Sequence, residues 1–285
     1  MNNTLETRDR TKVRHFAENC GYTLLGLLIV GVMLFPFYMI LNISLMPQTD
    51  LLQYPPPLFP LNLTFAGYRD ALGSIGEFIR SSLIYGLSTV AVTMFVALPA
   101  SYALSRSRVR IGSLLLFALV LAQMIPSIVI ANALYAVFSH LRLLNTYVAV
   151  ILADSTGAIP FAIIVMRAFM AGIPKELDEA AVVDGAGHWR IFRSIILPLS
   201  KTAIITAGLF SFLFGWGDFL FALTLNSNPQ HIPITVGIYL FIGGYSIDWP
   251  AVMATSLVAA IPAIILLIFA QQYIAAGITT GAIKE

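Results

Sequence analysis

Residues 174–198 read PKELDEAAVVDGAGHWRIFRSIILP, and they form the longest polar passage in the second half of the chain. Apolar runs stand on both sides, over 147–170 and 203–225. About 20 predominantly apolar residues are enough to cross the hydrocarbon core of a bilayer, so the passage reads as a polar loop between two membrane helices. Pro174 suits a first helical position, where the missing N–H would have had no partner. Glu176, Asp178 and Glu179 follow, near the positive end of a helix dipole, and Lys175 and Glu179 are spaced for a weak i, i+4 pair. The helix is expected to run to about Asp184, and Gly185 to supply the left-handed residue that ends it. After Gly187 a second helix is expected. It would carry Trp189, Phe192, Ile195 and Ile196 on one face and Arg190, Arg193 and Ser194 on the other, the pattern of a helix lying at a membrane interface. Pro198 then marks a corner. The small pair Ala180-Ala181 lets another protein surface approach closely, with Glu179 beside it to meet a basic residue. An ordinary solvated loop would have a similar composition.

The rest of the chain agrees with a membrane setting. Of 285 residues, 58% are hydrophobic and only 11% charged, whereas soluble domains carry about 25% charged residues. A net charge of +2 gives no reason to expect nucleic acid. The single cysteine, Cys20, excludes an intrachain disulfide framework and a multi-Cys metal site. The four histidines are scattered, with no HExxH, so no metal site is expected, and no GxxxxGK[ST] loop is present.

Six apolar runs are long enough to span: 22–46, 78–104, 111–138, 147–170, 203–225 and 250–276. The expected fold class is all-α, a polytopic membrane protein of six transmembrane helices. Its segments are an N-terminal piece (1–21), the membrane domain (22–276) containing the 171–202 loop, and a tail (277–285). Six spans put both termini on one side. Thirteen of the sixteen Lys and Arg residues then fall on the side of the termini and the 171–202 loop, leaving Arg69, Arg80 and Arg142 opposite. By the positive-inside rule that side is cytoplasmic. Prolines interrupt five of the spans. Membrane helices tolerate them where neighbours re-satisfy the backbone, and they equally suit points of flexure.

The spacing of the loop adds a family resemblance. Glu179-Ala180-Ala181, Gly185, Ile195, Leu197 and Pro198 match the EAA signature of permease subunits of ATP-binding-cassette importers: EAA, three residues, G, nine residues, I, any residue, LP. Seven fixed positions coincide by chance on the order of once in ten million starts or rarer. Ile159-Pro160-Phe161-Ala162, the stretch Trp216-Gly217-Asp218-Phe219-Leu220, the Leu63-Thr64-Phe65 region and the tail around Thr279-Thr280-Gly281-Ala282 resemble the carbohydrate branch, and within it the maltose-type permeases. The resemblance implies a bacterial or archaeal cytoplasmic membrane and a heterodimer with a second permease. It further implies two copies of an ATPase that binds the ATP and Mg, an external solute-binding protein, and no cofactor or enzymatic activity in this chain. It implies ATPase docking by Glu179, Ala180, Ala181, Asp184, Gly185 and Ala186, and ATPase contact by Thr280, Gly281 and Ala282.

Polar residues inside the spans are candidates for a substrate pathway: Gln123, Asn132, Asp154, Ser155, Trp216 and Asp218. Ionisable groups in spans are costly and face a cavity or a partner, but helix–helix hydrogen bonding explains Asp154 and Asp218 equally well. Gly208, Ser211, Gly215 and Asp218 share a helix face suited to close packing. Trp216 suits a sugar ring or, more commonly, an interfacial anchor. A permease of a non-sugar importer, for example of glycerol-phosphate or polyamine, is the nearest alternative. A self-sufficient secondary transporter would need an ion site or internal repeat, and an intramembrane enzyme a catalytic pair for which only Asp154 and Asp218 are available.

Overall fold

The computed structural model describes residues 3–55, 57–107, 110–242 and 247–282. They form helices α1 (Asn3–Ser44), α2 (Ala66–Arg106), α3 (Arg110–Ala122), α4 (Ser127–His140), α5 (Tyr147–Ala171), α6 (Glu176–Val183), α7 (His188–Ile191), α8 (Leu197–Leu199), α9 (Lys201–Trp216), α10 (Leu220–Leu225), α11 (Ile234–Leu240) and α12 (Trp249–Ala282). There is no strand among the described residues, only an isolated bridge between Ile242 and Ile247. Among the described residues, four helical stretches are long and apolar enough to cross a membrane: Gly21–Ser44, Ile75–Arg106, Tyr147–Ala171 and Trp249–Tyr273. Two bent pairs raise the number to six if each is one span. The chain is an all-α, multi-pass membrane protein.

The first of two compact units comprises Met1–Asp70 and Asp248–Leu257. Residues 21–37 of α1 are exposed all round, as a lipid-facing helix must be when its backbone is satisfied internally. The Pro-rich segment folds back over the end of α1. Tyr38 Oη and Asn42 Nδ2 both donate to the Leu58 carbonyl (2.6 and 3.0 Å), Thr64 N donates to Leu45 O (2.9 Å), and Ser44 Oγ lies 2.9 Å from Tyr68 Oη. Gly67 is needed for a close crossing, since a Cβ there would fall 2.6 Å from the Pro250 carbonyl.

The second unit, Ala71–Ile247 and Val258–Glu285, is built on α5 packed along α9. Ala153, Ala158 and Ala162 on α5 and Ala203, Ala207, Ser211 and Gly215 on α9 are all buried, the small-residue seam that lets membrane helices touch backbone to backbone. At the loop end, Met166, Met170, Ile191 and Ile196 make a core with Ala97 of α2. At the other end Tyr85, Phe138, Val150, Phe221 and Leu225 make a second. A polar clasp holds the 226–231 segment beside this second core. Asn226 Nδ2 donates to Tyr85 Oη, which donates to the His231 carbonyl (both 2.9 Å).

Two spans read as continuous in the sequence are broken. The 111–138 run is α3 and α4, bent by 96°. Pro126 occupies the N-cap of α4. It has no N–H for the preceding turn, and the residue before a proline is driven out of the α region. The 203–225 run likewise stops at Trp216, with Gly217 as C-cap. Before it, His188–Leu199 and Lys201–Trp216 meet at 79°, so the corner expected at Pro198 falls at Ser200, with Pro198 inside the short α8.

Candidate functional site

The 171–202 loop is assembled by local chemistry. Helix α6 carries Glu176, Asp178 and Glu179 in its first turn. It closes with a Schellman arrangement: Ala186 N donates to Ala181 O (2.9 Å) and Gly185 N to Val182 O (3.0 Å). Gly185 has φ +79°, the only positive-φ glycine among the described residues, whereas Gly187 sits at −72°. The left-handed end expected at Gly185 is thus present.

Helix α6 divides its faces sharply. Glu179, Ala180, Val182, Val183 and Asp184 are exposed, Val183 at 87%. Ala181 is buried and belongs to the chain's own core, with Ala186 packed against it. The Ala180-Ala181 pair therefore splits: Ala180 alone is available for close approach by another surface. Successive helical residues point about 100° apart, so neighbours cannot share a narrow contact face. Lys175 and Glu179 form no ion pair among the described residues.

The ion pair that forms is Asp178 with Arg106, at the end of α2. Arg106 Nε donates to Asp178 Oδ2 (2.7 Å) and Nη2 to Oδ1 (3.1 Å). Arg106 Nη1 also donates to the carbonyls of Met170 and Ile173 (both 3.1 Å), at the end of α5. The residues lie 72 positions apart, and no local pattern announced the contact. Arg106, Lys175, Glu179, Val182 and His188, with Tyr102, line an open groove of about 350 Å³ along α6.

The second half of the loop departs from a plain amphipathic helix. Residues Phe192–Ile196 form a π turn, whose wider i→i+5 spacing rotates the faces. Ile191, Phe192 and Ile196 are buried, while Trp189, expected on the same face, is 69% exposed, its ring tilted against that of Phe192 (5.4 Å between centroids, 43° between planes). The tail residues Thr280, Gly281 and Ala282 lie in the last turn of α12, and their side chains lie outside the described residues.

The polar residues of the spans do not form one cluster. Asp154 is 3% exposed, with Oδ2 buried and without a hydrogen-bond partner. Ser155 is turned back on the Ile151 carbonyl (2.7 Å). Gln123 Nε2 reaches across to Gly157 O of α5 (3.3 Å), and Asn132 is exposed on α4. Trp216 is buried, stacked on Phe212 and donating from Nε1 to Ala259 O (3.1 Å). Asp218 accepts from Phe221 N (3.1 Å) and Ala222 N (2.7 Å), capping α10. Among the described residues no cluster of His, Cys, Asp or Glu is arranged to hold a metal ion.

Residues 94–280, which include the whole loop, Arg106 and every one of these polar residues, match the family described as binding-protein-dependent transport system inner membrane component. The chain belongs to this family. Members are membrane components of transporters rather than enzymes. The chain is 31% identical over 253 residues to the sulfoquinovosyl glycerol transport system permease protein of Agrobacterium fabrum, covering 88% of this chain and 89% of that one. It is 33% identical over 269 residues to the trehalose transport system permease protein of Mycobacterium tuberculosis, covering 92% and 97%. It is 31% identical over 270 residues to the trehalose/maltose transport system permease protein of Thermococcus litoralis, covering 90% and 96%. Its fold is that of a bacterial ABC transporter of known structure that imports the polysaccharide alginate, with a TM-score of 0.76 at 21% identity over 91% of this chain and 96% of that one.

Proposed function

We propose that this chain is one of two permease subunits of an ATP-binding-cassette importer and forms, with its partner, the pathway for a sugar, oligosaccharide or related glycoside. The sugar class is supported by relatives that carry sulfoquinovosyl glycerol, trehalose and maltose in their names. Six spans follow if α3 with α4 is one bent span and α9 with α10 another, and the distribution of Lys and Arg supports a cytoplasmic side for both termini and the 171–202 loop. The observation that carries the coupling mechanism is the division of α6: Glu179, Ala180, Val182 and Val183 outward, Ala181 and Ala186 inward. A separate ATPase, two copies per importer, binds ATP and Mg and takes the outward face of α6 in a groove, Glu179 meeting a basic residue. Closure of the two ATPase subunits draws the α6 helices together and turns the membrane helices from inward-open to outward-open. The tail residues Thr280, Gly281 and Ala282 reach the ATPase as well. A solute-binding protein delivers the sugar from outside, to the Pro-rich segment read in the sequence as 47–77, whose last residues begin α2, and to the 226–249 region, which carries α11. Asp154, the buried carboxylate with an unpartnered oxygen, is the pathway-side residue best suited to meet a sugar hydroxyl.

The test is purification of the tagged chain from its native membrane, followed by reconstitution. A Walker-motif ATPase and a second EAA-bearing permease should co-purify in a 2:1:1 complex, and uptake of labelled disaccharide should require the binding protein. A chain that transports alone would overturn the reading.

A further inference from the structure

We infer that Arg106 is the positioning residue that makes α6 move as one body with α2 and α5. The inference rests on the coupling role proposed above for α6, and it assigns the element that carries the motion inward. Four hydrogen bonds leave one guanidinium. Two form a fork on the Asp178 carboxylate of α6, and two go to the Met170 and Ile173 carbonyls that close α5. The side chain itself belongs to the last turn of α2, and its Cζ lies 6.0 Å from the ring of Tyr102, one turn earlier. Three elements thus meet at one planar, charged group.

Physical chemistry makes this junction stiff. The bonds to Asp178 are charge-assisted and bidentate, which fixes angle as well as distance. Carbonyls at and just past a helix C-terminus carry the negative end of the dipole, so a cation there is favoured, and Arg106 adds to the turn bond that Met170 O accepts from Ile173 N (3.2 Å). Arg106 and Asp178 are only 14% and 17% exposed, so water competes weakly for them. The covalent route between α5 and α6 is short, Gly172, Ile173, Pro174 and Lys175, and Ile173 is seated in the same core as Met170. The apolar contact from α6 to the core is a single methyl, that of Ala181. Asp178 is also the neighbour of Glu179, so a pull on the outward face reaches the Arg106 fork within one residue. Lysine lacks the planar fork and cannot serve all four acceptors at once.

The experiment uses the full complex with Cys20 replaced by Ser and nitroxide labels at two exposed positions, Ala168→Cys on α5 and Glu176→Cys in the first turn of α6, away from the docking face. The native pair should give one narrow distance, unchanged when ATP and vanadate trap the ATPase. Arg106→Gln and Asp178→Asn should each lose the narrow distance, and trapping should then shift the α6 label relative to α5. The double variant should match the single variants, because all remove one junction. Asp178→Asn keeps the Arg106 bonds to the α5 carbonyls, so it decides the matter even where Arg106→Gln fails to insert. Native widths in both variants, with no shift on trapping, would overturn the inference. An ATPase that never associates with the native chain would instead overturn the coupling role of α6, while the widths measured without ATP still judge the Arg106 junction.

Discussion

The carbonyl of Tyr85 lies directly against Gly215 where α2 crosses α9. A Cβ at 215 would stand 2.8 Å from that oxygen and 2.9 Å from Thr89 Oγ1. Neither neighbour is the far end of a flexible side chain, so the helices must separate to admit one. Gly208, two turns earlier on α9, has nothing within 4 Å of its would-be Cβ. Gly215→Val should therefore destabilise the protein by about 1–3 kcal/mol through overpacking, and Gly208→Val should be near neutral. Thermal unfolding in detergent measures both. Equal shifts would mean that α2 and α9 do not make this contact in the membrane.

Gly185 and Gly187 differ in backbone rather than in space, since neither has an atom within 4 Å of a would-be Cβ. Gly185 is at φ +79° and Gly187 at −72°. A side chain at 185 costs about 1–2 kcal/mol in the left-handed region, or else the Schellman closure of α6 opens. Gly185→Ala should accordingly raise the rate of limited proteolysis within 184–188, and Gly187→Ala should leave it unchanged. A reversed order would remove Gly185 from its role as the end of α6.

What the sequence discloses and what it hides follow from range. Gly185 and the C-terminal end of α6 rest on chemistry within a few residues, so the sequence anticipates them, whereas Pro174, read as a first helical residue, stands outside α6, which begins at Glu176 after the N-cap Lys175. Asp178 reads there as one acid among three, because its partner Arg106 is brought near only by the packing of α2 against α5. The break at Pro126 is ambiguous for a different reason. A proline inside an apolar run either kinks a helix or ends it, and composition does not separate the two outcomes. Trp189 leaves its expected face at the start of the four-residue α7, before the π turn begins at Phe192, and the π turn then changes the residue count per turn for Ile195 and Ile196, which a fixed 3.6-residue period cannot register. Trp216 reads as an interfacial anchor or sugar platform, yet its ring is stacked on Phe212 and its N–H is held by Ala259.

Glu179 is exposed and makes no side-chain hydrogen bond or ion pair with the described residues, so its charge contributes little to the fold. Glu179→Lys should insert and unfold like the native chain. It should nonetheless reduce stimulation of the ATPase by at least about ten-fold, because it sets a cation against the basic residue expected in the groove. Stimulated hydrolysis in proteoliposomes, measured beside thermal stability, separates the two effects. Native stimulation by the variant would remove Glu179 from the docking contact.

Asp218 stands where a cap and a pathway carboxylate make opposite predictions. Both of its oxygens accept from the first free N–H groups of α10, Phe221 and Ala222, and its own carbonyl accepts from Thr235 Oγ1. A cap acts through acceptor oxygen. Asn keeps one such oxygen and Ala keeps none, and loss of a cap costs about 0.5–2 kcal/mol. Asp218→Ala should therefore lower thermal stability by that amount, and Asp218→Asn by clearly less, with transport falling only in step with the folded fraction. A carboxylate that contacts the cargo would behave otherwise: Asn and Ala would both abolish uptake at native stability. Uptake normalised to folded protein for the two variants decides between a residue that shapes the turn after α9 and one that touches the transported sugar. The two bonds to α10, one on each carboxylate oxygen, favour the turn.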